Sequence, residues 1–206
     1  MSALPTPLVS AAPQVRLHHE PAFDRPGARV LPGEFLIAHD NIVLVTVLGS
    51  CVAACIRDPD LGIGGMNHFM LPEAGAGQDT ASAPARYGAH AMEMLINALV
   101  KRGARRHRLE AKVFGGANVI PGMQQSGVGA RNAAFVLSFL HTEGLPVVAQ
   151  DLGGYLARKV AYCPATGEVR LKRIDDAMPT QVARSEQSYH ASLGSAAVAG
   201  SVELFQ

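Results

Sequence analysis

Between Ile42 and Ile56 the chain carries an almost unbroken apolar run. It reads Ile42-Val43-Leu44-Val45-Thr46-Val47-Leu48, then Cys51-Val52-Ala53-Ala54-Cys55-Ile56, with Gly49-Ser50 between the two halves. A strand with one wet face alternates apolar and polar residues. The first half does not, and its β-branched content suits a strand buried on both faces. Asp58-Pro59 then forces a turn, because a residue before proline leaves the helical region. Ile63 to Leu71 reads as the next strand, stopped by Pro72.

Further short strands fall at Glu34–Ala38, Leu109–Phe114 and Val147–Asp151, and Lys159–Cys163 with Glu168–Arg173 reads as a hairpin. Two helices are expected. One spans about 85–102, with Met92, Leu95, Ile96 and Leu99 on one stripe; the other spans about 129–142, with Ala133, Val136, Leu137 and Leu140. With about eight strands to two helices, the expected fold is a single-domain layered α/β sandwich with mixed β-sheets and two main helices. It occupies residues 33–174. Residues 1–32, with prolines at 5, 7, 13, 21 and 26, read as a flexible N-terminal arm, and residues 175–206, rich in Ser, Ala, Gly and Gln, as a flexible C-terminal tail. Polar stretches at 73–84 and 119–127 read as mobile or functional loops.

Bulk properties exclude several classes. A net charge of +1 gives no general attraction to nucleic acid or to an anionic membrane, and the cluster Arg102, Arg105, Arg106, His107 and Arg108 reads as a solvated helix end. No stretch of about 18 apolar residues exists, so no membrane insertion is expected. The N-terminus lacks the basic and apolar regions of a signal peptide. Three cysteines, Cys51, Cys55 and Cys163, do not make a disulfide framework and fit a reducing, cytoplasmic setting. Without CxxC pairs, zinc-ligand spacing or phosphate-binding glycine patterns, neither metal nor cofactor is expected.

Two residues stand out. Cys51 follows Gly49-Ser50 directly, where a bend presents a side chain and aims consecutive N–H groups at one point, as a nucleophile beside an oxyanion site requires. Cys55 and Cys163 read as small core hydrophobes. A histidine in an apolar strand is commonly a hydrogen-bonded core residue, but His68 lies on the strand after the one that opens at Cys51. Antiparallel pairing about the turn near Pro59 would bring the two together. A Cys–His pair serves nucleophilic chemistry because the imidazole manages the thiol proton and then serves a leaving group. A third group normally orients the imidazole, and the candidates are Thr46, Asn67 and Asn118. Asn67 adjoins His68 and should face away from it. Strict alternation along the strand also puts Thr46 on the far side, unless the glycine shifts the register. Arg131 or Arg158 paired with Asp151 reads as structural.

These residues belong to a longer set of motifs in order: Leu48-Gly49-Ser50-Cys51-Val52, Asp58-Pro59, Gly64-Gly65-Met66-Asn67-His68-Phe69-Met70-Leu71-Pro72, Arg86-Tyr87-Gly88, Ala111-Lys112-Val113-Phe114-Gly115-Gly116-Ala117, Gly127-Val128-Gly129-Ala130-Arg131-Asn132 and Asp151-Leu152-Gly153-Gly154. Together they resemble the bacterial CheD family of chemoreceptor glutamine deamidases over roughly residues 33–174. The resemblance implies a cysteine-dependent amidohydrolase that converts receptor glutamines to glutamate, with catalytic positions at Cys51 and His68. The family also uses a threonine upstream of the cysteine. An ungapped match puts Val45 there and Thr46 one residue later, so Thr46 is the candidate. The partners implied are methyl-accepting chemotaxis receptors and a CheC-type phosphatase. The alternative is a non-catalytic chemotaxis binding module acting on the same partners.

Overall fold

The computed structural model describes residues 9–10, 15, 17–39, 41–72, 82–119, 127–174, 186, 188–189 and 191–193. In chain order the strands are β1 (Val9–Ser10), β2 (Leu17–Glu20), β3 (Arg25–Arg29), β4 (Phe35–Ala38), β5 (Val43–Leu48), β6 (Val52–Asp58), β7 (Ile63–Asn67), β8 (Glu110–Gly115), β9 (Val147–Leu152), β10 (Ala157–Tyr162) and β11 (Val169–Ile174). The helices are α1 (Ser82–Val100) and α2 (Val128–Thr142), with a 3-10 turn at Arg106–Arg108.

The strands form two mixed sheets. One has six strands in the order β1-β4-β7-β6-β8-β9, and the other has five in the order β11-β10-β5-β3-β2. Parallel pairing occurs at β8–β9 and β3–β5, and the other pairs are antiparallel. One core lies between the six-stranded sheet and the helices. There Met92, Leu95, Ile96 and Leu99 meet Val52, Ala54, Ile56 and Val113. A second core lies between the sheets, where Leu44 and Leu48 meet Ala53, Cys55 and Met66. The layers run helix, sheet, sheet, and the six-stranded sheet is covered on both faces; the outer face of β5 is buried separately, where Val43 and Val45 cluster with Ala161 and Phe23. No helix among the described residues is long and apolar enough to cross a membrane.

The turn expected at Asp58-Pro59 is built by Asp58 itself. Its Oδ1 accepts the N–H groups of Asp60 and Leu61, and its Oδ2 accepts that of Arg105. Burial alone would raise this carboxyl, but the three N–H donors and the Arg108 charge hold it below the usual aspartate range. The same pairing puts Cys55 opposite Met66, and an isolated bridge continues it to Val52 and Phe69.

Two expectations change. The arm over 1–32 is not wholly irregular. Arg25–Arg29 pairs parallel with β5, and Leu17–Glu20 pairs antiparallel with β3. Buried Glu20 anchors this addition through Lys159 Nζ, 2.7 Å from its Oε2. Strands of four and five residues, one ending just before Pro21 and the other containing Pro26, are too short to show alternation. At the other end, Glu186, Ser188, Tyr189 and residues 191–193 have helical backbone. The expected loops at 73–84 and 119–127 fall mostly outside the described residues.

Candidate active site

Gly49-Ser50 is not a kink in one long strand. It is where the chain leaves the five-stranded sheet at Leu48 and enters the six-stranded sheet at Val52. Each carbonyl of this crossing turn is tied down. Ala117 N–H donates to Gly49 O at 2.8 Å, and Gly116 N–H donates to Cys51 O at 2.7 Å. Asn132 Nδ2 donates to Ser50 O at 2.8 Å. With the carbonyls held by the turn after β8 and by α2, the N–H groups of Gly49, Ser50 and Cys51 are free to converge elsewhere. They converge on one carboxylate, that of Glu186, at 2.8, 3.1 and 3.3 Å. Ser50 Oγ adds a fourth donor at 2.9 Å. Three successive main-chain N–H groups aimed at one anion form an anion-binding nest.

Gly115 makes the turn's close packing possible. It lies at φ 111°, and a Cβ there would sit 2.2 Å from Cys51 O. Both features require glycine.

Cys51 and His68 both point into the space between the sheets and are buried. Main-chain bonds fix the His68 backbone: its N–H donates to Glu34 O at 3.0 Å, and its carbonyl accepts from Gly33 N–H at 2.8 Å. Thr46 Oγ1 lies 2.8 Å from His68 Nδ1, and it donates its one hydroxyl proton to Val30 O at 2.8 Å. Toward the ring the hydroxyl therefore accepts, so Nδ1 carries the hydrogen and Nε2 has a free lone pair. Nε2 is buried without a hydrogen-bond partner. The Cys51 sulfur, a His68 ring nitrogen and a Glu186 carboxylate oxygen lie within 4.8 Å of one another.

These surroundings set the protons. Burial pushes the Cys51 thiol well up, and the charge and hydrogen bonding of Glu186 push it the same way. Burial pulls His68 down to about 4, against a smaller opposing effect of Glu186. At neutral pH the resting pair is thiol and neutral imidazole. Thiol, imidazole and carboxylate also make a donor set that zinc accepts. Here both carboxylate oxygens are already engaged by N–H or O–H donors, which is the arrangement of a bound anion.

The three residues expected from sequence, Cys51, His68 and Thr46, thus come together, and Thr46 does so against strict alternation. That rule treated residues 42–56 as one strand. Thr46 shares a face with Leu44 and Leu48 in the other sheet, and that face looks across at His68. Asn67 faces away as expected: its Oδ1 accepts Ala54 N–H at 2.8 Å, and its Nδ2 donates to Ala91 O on α1 at 3.2 Å. Asn118 is held at its backbone N–H by Gly154 O. Asp151 pairs with the buried Arg158 and with the exposed Arg173.

Glu186 went unseen, and Asn132 was noted only within the motif Gly127–Asn132, with no role at the site. Asn132 is fully buried and bonds both Ser50 O and Leu71 N–H. It lies on the line Val128, Asn132, Val136, Leu140 along the buried face of α2, and a polar residue on that line was the available signal. Glu186 lies in a stretch read as tail. Only Tyr189 and Leu193, three and seven residues on, hint at a helical face there.

Comparison with known proteins points one way. Residues 70–173 match the family model described as CheD chemotactic sensory transduction. A protein of Xanthomonas campestris pv. campestris named probable chemoreceptor glutamine deamidase CheD is 50% identical over 192 residues, covering 93% of this chain and 96% of that protein. One of the same name from Stenotrophomonas maltophilia is also 50% identical over 192 residues, with the same coverage. A similarly named protein of Dechloromonas aromatica is 54% identical over 183 residues, covering 89% of this chain and 90% of that one.

Proposed function

This chain belongs to the CheD family, and from that premise we propose that it hydrolyses glutamine side chains of chemoreceptors to glutamate, with Cys51 as nucleophile and His68 as proton carrier. The observation that carries this reading is the nest beside the sulfur. Three main-chain N–H groups hold a glutamate carboxylate next to Cys51 and His68, and a glutamate carboxylate is what the reaction produces.

The geometry supports the following steps. As Cys51 Sγ attacks the carboxamide carbon, His68 Nε2 takes the thiol proton. The carbonyl oxygen becomes an oxyanion in the nest of Gly49, Ser50 and Cys51, where each donor contributes roughly 10²-fold or more to the rate. The imidazolium gives its proton to the departing nitrogen, ammonia leaves, and a thioester remains. Water, deprotonated by neutral His68, then breaks the C–S bond and frees glutamate and the thiol. Each turnover places a negative charge where a neutral amide stood.

The test is incubation with a receptor cytoplasmic fragment. The expected result is a gain of about 1 Da at specific glutamines with ammonia released in equal amount. A fragment whose mass and ammonia stay unchanged overturns the reading.

Thr46 acts as a positioning residue by holding Nδ1–H and so directing the lone pair of Nε2 inward. Thr46→Val is expected to lower kcat by about 10- to 100-fold, less than the roughly 10⁴-fold associated with an ionised orienting group. Thr46→Ser, which keeps the hydroxyl, should restore most of it. Equal rates for the valine and serine variants would remove Thr46 from the mechanism.

A further inference from the structure

The group seated in the nest is the chain's own Glu186, only 1% exposed although it lies outside the sandwich in sequence. Its anchoring is not confined to the carboxylate. Tyr189, three residues on, lays its ring against Gly33, where a Cβ would come within 2.9 Å of Tyr189 Cε2, and its hydroxyl bonds that of Tyr87 on α1. Leu193, seven residues on, packs with Tyr189 on the core between the sheets. Positions i, i+3 and i+7 share one helical face. A helical turn therefore presents a glutamate to the nest, an aromatic ring to the Gly33 and Tyr87 edge, and an aliphatic side chain beyond.

We propose that Glu186, with Tyr189 and Leu193 on the same helical face, is a built-in pseudo-product, which occupies the place of a receptor helix and closes the site until such a helix displaces it. This rests on the deamidase reading and extends it to substrate form: a glutamine on a helix, followed on the same face by bulky apolar residues three and seven positions on. The mimic is stable to the enzyme because a carboxylate offers no ammonia to expel. Burial keeps the Cys51 thiol protonated and the mimic's charge adds to it, so the closed form is a resting form. Tethering favours closure, because a linked segment competes at an effective concentration of roughly millimolar.

The test converts the mimic into a substrate. In full-length Glu186→Gln, Cys51 Sγ would attack the carboxamide carbon of the introduced side chain, ammonia would leave, and water would cleave the thioester. The isolated protein is then expected to carry glutamate at position 186, about 1 Da heavier than its gene specifies, whereas Cys51→Ala/Glu186→Gln keeps the amide. An amide persisting at position 186, in a preparation that still deamidates a receptor fragment, overturns the pseudo-product while leaving the deamidase reading intact. Failure of both conversions overturns both.

Closure is read separately. Glu186→Ala should raise receptor deamidation by roughly 10-fold by raising the fraction of open sites. Tyr189→Ala, which leaves the carboxylate and nest untouched, should act in the same direction. A rate that is unchanged or lower in both variants overturns closure, and a loss confined to Glu186→Ala would instead make Glu186 a working group of the site.

Discussion

Cys51→Ala is expected to leave receptor glutamines unconverted, with kcat reduced by about 10⁴- to 10⁶-fold, because covalent attack has no substitute once the sulfur is gone. The nest and His68 remain, so substrate binding should change far less than turnover. The informative control is Cys55→Ala. Cys55 lies four residues further along, also buried between the sheets, but burial pushes its thiol far up and no ring nitrogen among the described residues partners it. Its truncation should lower stability by about 1 kcal/mol through a small cavity and leave kcat near wild type. Mass spectrometry of the receptor fragment with both variants decides the matter. Continued conversion by Cys51→Ala, or its loss in a folded Cys55→Ala, would move the nucleophile elsewhere.

The second large effect belongs to a residue with no side chain. Gly115→Ala puts a carbon 2.2 Å from Cys51 O and 3.0 Å from Val52 Cα, at a φ of 111° that alanine adopts only under strain. Backbone strain and overpacking each contribute about 1–3 kcal/mol. The peptide that must yield also carries the proposed nucleophile, and a displacement of about 1 Å can lower kcat by about 10²-fold. Urea midpoint and turnover should therefore fall together. Gly153→Ala separates the causes: Gly153 shares a positive φ of 74° but has nothing within 4 Å of the added carbon. It should lose only about 1 kcal/mol and keep its turnover. If Gly115→Ala behaves like Gly153→Ala, the close contact at Cys51 is not limiting.

Much of this was legible in the chain because the relevant signals are local. The apolar run required burial on both faces, the stripe Met92, Leu95, Ile96 and Leu99 identified α1, and Asp58-Pro59 set the hairpin that carries His68 toward Cys51. What escaped depends on partners distant in sequence. Alternation fixes faces only within one sheet, so it failed for Thr46 once Gly49-Ser50 passed the chain from one sheet to the other. β2 and β3 gain their order from the open edge of β5, which their own prolines do not advertise. Glu186 depends on N–H groups more than 130 residues earlier, and a polar stretch of Ser, Gln and Ala gives no local sign of that.

The Thr46–His68 hydrogen bond joins the two sheets, and Cys51, the proposed nucleophile, stands on the strip of chain that crosses between them. The atoms of the proposed site are thus distributed over two sheets whose relative position depends on the side chains packed between them. A slip of one sheet past the other by a fraction of an ångström would part the hydroxyl from the ring while every strand stayed hydrogen-bonded. Turnover is therefore a finer gauge of the sandwich than any spectroscopic measure of its strands. Volume-conserving substitutions such as Leu44→Met or Met66→Leu, lodged in that seam, cost little stability and would register in the rate before they registered in the melting curve.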